Sequence, residues 1–164
     1  MSELLTIAER IAAQARPGEQ VEAYVSRGTE TAVRVYQGEV EQFTSAQSEG
    51  VGVRVIREGR TGFAYAGTLD PSVIGEVLAD ARDNVEFGSV DEYAALATPD
   101  GVAVKPQVLW DERLEQCGTD RKIELAKQLE RLSLSGDSRV RVDSADYADG
   151  ASERSEEHTS ELQS

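Results

Sequence analysis

The sequence predicts an α+β fold: a mostly antiparallel sheet of about five strands flanked by two helices. Three observations predict it. Period-two alternation of apolar and polar residues recurs between Val21 and Ala66. The links between these runs are too short for a parallel crossover, which needs a dozen or more residues. Apolar stripes at helical spacing stand before and after them, over residues 4–15 and 73–85.

The elements follow in order. Ser2 is a helix cap, able to accept a hydrogen bond from a free amide of the first turn. Leu4, Leu5, Ala8, Ile11, Ala12 and Ala15 make one buried stripe, and Pro17-Gly18 ends the helix. The exposed side of this helix is not rich in Lys or Arg, which argues for core packing over a membrane surface. Val21, Ala23 and Val25 alternate with Glu22, Tyr24 and Ser26 as a first strand. Gly28 marks a turn, and Thr31, Val33 and Val35 alternate as a second strand. Gln37-Gly38 is a hairpin turn, and Glu39 to Ser48 reads as a third, more polar strand.

Val51, Val53 and Val55 form the buried side of a fourth strand. The turn Arg57-Glu58-Gly59-Arg60 follows, with Gly59 free to take a positive φ. On the return strand Phe63 and Tyr65 share one face, while Gly62, Ala64 and Ala66 leave the other nearly bare. Something is expected to pack closely against that bare side. Gly50 and Gly52 do not make a phosphate loop: they lie inside strand pattern, with no third glycine opening a helix and no Gly-Lys-Ser/Thr.

Asp70-Pro71 starts a second helix, a capping carboxylate followed by a proline whose missing N–H costs nothing there. Val73, Ile74, Val77, Leu78, Ala81 and Val85 give its stripe, and Gly88 closes it. Residues 1–88 are thus expected to form an amino-terminal α+β domain. Between 89 and 118 the pattern fades, punctuated by Pro99, Gly101 and Pro106. This is a connector, partly ordered by Tyr93, Leu96, Val108, Leu109 and Trp110. Trp110 either anchors it in an apolar groove or stacks on a ligand, and its large burial gain favours the anchor.

Residues 119–153 are expected to begin a second, truncated domain. Thr119 or Asp120 caps its helix, Leu125, Ala126, Leu129 and Leu132 form the buried stripe, and Gly136 ends it. A strand over 139–148 follows, with Val140 and Val142 on one side and one edge unpaired. Residues 154–164 resemble the translation of a short-read sequencing adapter, and are expected to be a non-native tail rather than a disordered native one. The only histidine, His158, lies in that tail. The chain is accordingly expected to be the front part of a longer protein.

Composition narrows the function. A net charge of −14, from 31 acidic and 17 basic residues, repels phosphate and argues against nucleic acid as a partner. No early apolar run reaches the length of a signal peptide or membrane span. Cys117, the single cysteine, cannot form an internal disulfide, which fits a reducing, cytoplasmic compartment. It has no local base to activate it as a nucleophile. Glu39 and Glu41 share a strand face and could hold a cation or do acid–base work, but no third ligand accompanies them, so a solvated edge is the favoured reading.

Gly50-Val51-Gly52-Val53-Arg54 running into Thr61-Gly62-Phe63-Ala64-Tyr65-Ala66 resembles the amino-terminal domain of the TldD/PmbA family, once described as modulators of DNA gyrase. Tyr36-x-Gly38-Glu39-Val40-Glu41, and Ala81-Arg82-Asp83-Asn84 leading to Asp91-Glu92-Tyr93, resemble its PmbA (TldE) branch. The similarity runs from about Ser2 to about Ser152. It implies a metallopeptidase, a hydrolase acting in proteolysis as a cytoplasmic dimer. A TldD-type partner subunit would carry zinc on a His-Glu-x-x-x-His motif, and unfolded peptide would be the substrate. Neither that motif nor His-Glu-x-x-His occurs in this sequence, so no catalytic, cofactor-binding or metal residue is assigned to it. The resemblance implies that this fragment contributes dimer and peptide-chamber structure and is inactive alone. The alternative is a non-enzymatic protein-interaction module with an antiparallel sheet.

Overall fold

Alternation in a chain this short of aromatics has to be satisfied by aliphatic and small side chains packed under helices, and that is the arrangement found. A computed structural model of the chain describes residues 2–98, 101–103, 105 and 107–159. The expected punctuation at Pro99 and Pro106, and tail residues 160–164, lie outside the described residues. The element order is α1 (Glu3–Ala12), β1 (Gln20–Tyr36), β2 (Glu39–Arg57), β3 (Arg60–Ala66), α2 (Pro71–Val85), α3 (Glu112–Glu115), α4 (Thr119–Ser135) and β4 (Ala145–His158). The strands form one antiparallel sheet in the order β3-β2-β1-β4.

The sheet has four strands among the described residues, not about five. The expected breaks at Gly28 and near Gly50 are absent, because β1 and β2 each run through their glycine without leaving extended backbone. Gly28 takes no positive φ, whereas the true turns do: Gln37 and Gly38 at 51° and 80°, Glu58 and Gly59 at 52° and 69°. Those paired positive angles define two-residue hairpins whose twist matches the strands they join.

The chain divides into two compact units. The first comprises residues 1–28, 48–102 and 152–164, and the second 29–47 and 103–151. Residues 29–47, expected within the domain 1–88, thus group with the later part of the chain.

In the first unit Val21, Ala23 and Val25 of β1 and Val51, Val53 and Val55 of β2 turn the same way and are buried. Leu4, Ala8 and Ile11 of α1 and Val77, Leu78, Ala81 and Val85 of α2 close over them. Ser2 caps α1 by accepting the Leu4 N–H at 3.2 Å, and Asp70 caps α2 by accepting the Ser72 N–H at 2.8 Å, with Pro71 in the first turn. The bare side of β3 is where α2 approaches. A Cβ on Gly62 would fall 2.5 Å from the Val85 nitrogen and closer still to the Ala81 carbonyl oxygen. Gly88 does not close α2 in a left-handed cap; a Cβ there would lie 2.7 Å from the Thr61 carbonyl oxygen, so close approach is what requires glycine.

One charged group is buried with this core. The Glu19 carboxylate, 1 % exposed, accepts from Arg82 Nε and Nη2 at 3.0–3.2 Å and from the Arg16 N–H at 3.0 Å. Burial drives its carboxyl pKa upward, but the hydrogen bonds from Arg82 and Arg16 outweigh that and hold it below the ordinary range.

The second unit buries far less apolar surface. Val33 and Val35 of β1 and Ala126 of α4 form its apolar cluster, with Ile123 and Tyr147 packed against them, and Ala145 of β4 is buried besides. Leu129 and Leu132, expected in the buried stripe of this helix, are 50 % and 63 % exposed, because no described element covers that side. The residue at the matching buried position is Glu130, whose carboxylate accepts the Gly38 N–H at 2.7 Å. Lys122 reaches Thr31 Oγ1 at 3.2 Å and Asp149 at 2.8 Å, and the Tyr147 hydroxyl donates to Asp149 at 2.6 Å. That last bond, with burial and the Asp149 charge, pushes the Tyr147 pKa up to about 12.

Three further expectations change here. Gly118, not Thr119 or Asp120, is the N-cap of α4, and it makes no side-chain cap bond. Val140 and Val142 precede β4: Asp137 accepts the Arg139 N–H on its side chain and the Val140 N–H on its carbonyl, and this turn holds the chain out of a strand until Ala145. The connector holds a one-turn helix, α3, capped by Asp111. Of its expected anchors only Leu96 is buried, while Tyr93, Val108 and Leu109 are exposed and Trp110 is half-exposed.

Candidate peptide-binding edge

The Glu58-Gly59 hairpin sets which backbone groups of β3 remain available. A two-residue loop makes its flanking residues, Arg57 and Arg60, a hydrogen-bonded pair. Pairing then alternates: Val55↔Gly62, Val53↔Ala64 and Val51↔Ala66 exchange bonds. Thr61, Phe63 and Tyr65 therefore turn their N–H and C=O away from β2, toward the outer edge of the sheet.

The start of that edge is covered. Asp91 N–H donates to the Gly59 carbonyl at 2.7 Å, Val90 bridges Arg60 in antiparallel fashion, and the Arg60 guanidinium donates to the Gly88 carbonyl. Beyond Thr61 the cover stops. Asn84 of α2 donates its side-chain amide to the Phe63 carbonyl at 2.9 Å. Among the described residues no hydrogen bond reaches the outward N–H of Phe63 or either outward group of Tyr65.

A cleft of about 400 Å³ lies along this stretch, lined by Phe63, Ala64, Tyr65, Asp80, Asp83 and Asn84. Its two sides differ in chemistry. On the α2 side stand the carboxylates of Asp80 and Asp83. The adjacent base, Arg82, is turned away to Glu19 and to the Gln14 carbonyl at 2.6 Å. On the opposite sheet face the Phe63 and Tyr65 rings stack with centroids 6.2 Å apart and are 55 % and 78 % exposed. Phe63 leans over Gly52, whose missing side chain leaves room for the ring: a Cβ there would lie 3.3 Å from it.

The other residues weighed from sequence are not brought together. Gly50 and Gly52 lie within β2, as a strand and not a phosphate loop requires. Glu39 is solvated, with Lys127 4.0 Å away, and Glu41 is exposed. Cys117 is a free, half-buried thiol, and His158 lies in β4. Among the described residues no three His, Cys, Asp or Glu side chains converge to hold a metal ion, so these residues do not fit zinc. No described helix is long and apolar enough to cross a membrane. Sequence reading missed Asp80, Asp83 and Asn84. Their signal was acids at i and i+3 on a helix facing a strand with two aromatics, but recognising it requires knowing that β3 is an edge.

Residues 21–85, from β1 to the end of α2, match the family model described as PmbA/TldA metallopeptidase domain 1. Residues 21–85 thus match the first domain of the TldD/PmbA family. An uncharacterised protein of Methanocaldococcus jannaschii is 30 % identical over 114 residues, 67 % of this chain and 27 % of the relative. Solved TldD/PmbA-like folds agree. A protein of Thermotoga maritima, described as a candidate modulator of a DNA gyrase, superposes with a TM-score of 0.78 at 21 % identity, over 94 % of this chain and 35 % of that one. TldE from Thermococcus kodakarensis gives 0.70 at 21 %, over 95 % and 34 %. A further candidate gyrase modulator, from Bacteroides thetaiotaomicron, gives 0.75 at 22 %, over 96 % and 37 %. The chain spans about a quarter to a third of the length of these relatives.

Proposed function

We propose that this chain is the amino-terminal part of a PmbA/TldE-like subunit of a cytoplasmic zinc metallopeptidase complex. In this reading it supplies dimer and peptide-chamber structure, and a TldD-type partner holds the zinc. The observation that carries it is the match of residues 21–85 to a metallopeptidase first domain. The open edge of β3 supports it, since a strand edge binds extended peptide through backbone groups that are nearly blind to side chains. When bound in such a partner, zinc would lower the pKa of its water and polarise a scissile carbonyl. The residues described here would present unfolded substrate and take no part in proton transfer. Residues 154–164 belong, in the same proposal, to a non-native tail. Their place in and beyond β4 does not bear on origin, because an edge ladder is made by backbone.

The test joins the full reading frame carrying residues 1–153 to a TldD-type subunit. Co-elution on size exclusion and a gain in chelator-sensitive peptide cleavage are expected. Separate elution with no gain in cleavage would overturn the proposal.

A further inference from the structure

We propose that the outer edge of β3 between Phe63 and Ala66 takes an extended peptide as an added strand. Its preferred occupant alternates Lys or Arg with apolar residues. The inference deepens the peptide-handling reading above by naming the site and the class of peptide.

Three observations converge. The hairpin register turns Phe63 and Tyr65 backbone groups outward, and among the described residues they lack partners apart from the Phe63 carbonyl. A strand docked there would meet two surfaces, because successive side chains of a strand point to opposite faces. One parity would face Asp80 and Asp83, with no base lining the cleft, so a cationic side chain is the complement. The other parity would lie on the face of the stacked Phe63 and Tyr65 rings, which favour apolar or aromatic contacts. Asn84 marks the limit of the site, since its amide already holds the Phe63 carbonyl. The bonds on offer are thus the Phe63 N–H and both groups of Tyr65. An acidic peptide would meet like charge on one side and is rejected.

The probe is a fluorescent six-residue peptide alternating Lys and Val, titrated into the intact chain by polarisation. Three results are expected. An alternating Glu–Val peptide binds at least tenfold more weakly. N-methylation of every second amide abolishes binding in one register and spares it in the other. The double variant Asp80→Asn, Asp83→Asn loses about tenfold affinity for the Lys peptide, with a flatter salt dependence. Both substitutions are at exposed positions and nearly isosteric, so the fold is retained.

A variant-free readout accompanies these. Hydrogen exchange at the Phe63 and Tyr65 amides slows on saturation with the Lys peptide. Absence of binding, equal effects of the two methylation registers, or unchanged exchange at these amides would overturn the proposal. So would protection that rises with chain concentration without peptide, which would assign the edge to a second copy. The assay omits any TldD-type subunit, so loss of the complex and loss of this site are read separately.

Discussion

The two units solve the same problem with different materials. The first lays α1 and α2 over alternate residues of β1 and β2 and buries a continuous apolar set, with one ionised carboxylate held by Arg82. The second lays α4 over β1 with a small apolar contact, and relies on Glu130 with the Gly38 amide and on Lys122 with Asp149, Tyr147 and Thr31. Apolar burial is non-directional and grows with area, whereas each polar contact depends on a single geometry. The first unit is therefore held by shape and area, and the second by a few specific bonds. Substitutions matched between the units can break or sharpen that contrast.

The largest effect should come from shape. Gly62→Val drives a side chain into the α2 backbone, where even a Cβ has no room. Overpacking of this kind costs about 3 kcal/mol or more, since a helix backbone must move. Leu132→Lys in the second unit places a good helix former at an exposed site and should stay within about 0.5 kcal/mol of the parent. Urea midpoints measure both. A Gly62→Val chain as stable as the parent would show that α2 does not rest on β3 as described.

The next effect comes from polar groups. Arg82→Ala leaves the Glu19 carboxylate buried without its main partner, with Arg57 still 3.8 Å away. A loss of about 3 kcal/mol is expected. Glu130→Ala removes one charge-assisted bond to the Gly38 N–H, worth about 1.5–3 kcal/mol. Acid should test the Glu19–Arg82 contact within the first unit. The Glu19 pKa lies below its ordinary 4.5 in the folded chain. Its contribution is complete above 4.5 and is lost as pH falls through the lowered folded value. Segment-resolved hydrogen exchange between pH 5 and 3 should show protection in α2 declining in the parent more steeply than in Arg82→Ala. Parallel declines would mean that Glu19 gains nothing from Arg82.

These contrasts also show what the sequence disclosed. The first unit was legible because its signals are local: alternation in β1 and β2, the Asp70-Pro71 cap, and the bare side of β3 that α2 fills. Gly28 and Gly50 misled because a glycine inside a strand and one at a turn have the same composition. What separates them is φ, which neighbours decide. The exposed Leu129 and Leu132 misled for another reason: apolar spacing states which helix face wants cover, not whether cover is present. Val140 and Val142 alternate as a strand would, yet the Asp137 turn competes successfully for that backbone. The candidate site was half legible. Phe63 and Tyr65 on one face could be read, but Asp80, Asp83 and Asn84 join them only because β3 ends the sheet.

The smallest expected effect is the finest test, because it compares two nearly identical turns. Gln37-Gly38 and Glu58-Gly59 share the same left-handed backbone, but their surroundings differ. A Cβ on Gly38 would meet nothing within 4 Å, whereas one on Gly59 would lie 3.0 Å from the Asp91 carbonyl oxygen. Gly38→Ala should therefore cost only the strain of a non-glycine residue at positive φ, about 1 kcal/mol. Gly59→Ala should cost that strain plus the displacement of the 88–91 segment. Because that segment covers the start of the β3 edge, exchange at Thr61 should quicken in Gly59→Ala and stay unchanged in Gly38→Ala. Equal losses of stability in the two variants, with Thr61 unmoved in both, would mean that the turn backbone alone sets the cost and that the Asp91–Gly59 bond does not hold the edge.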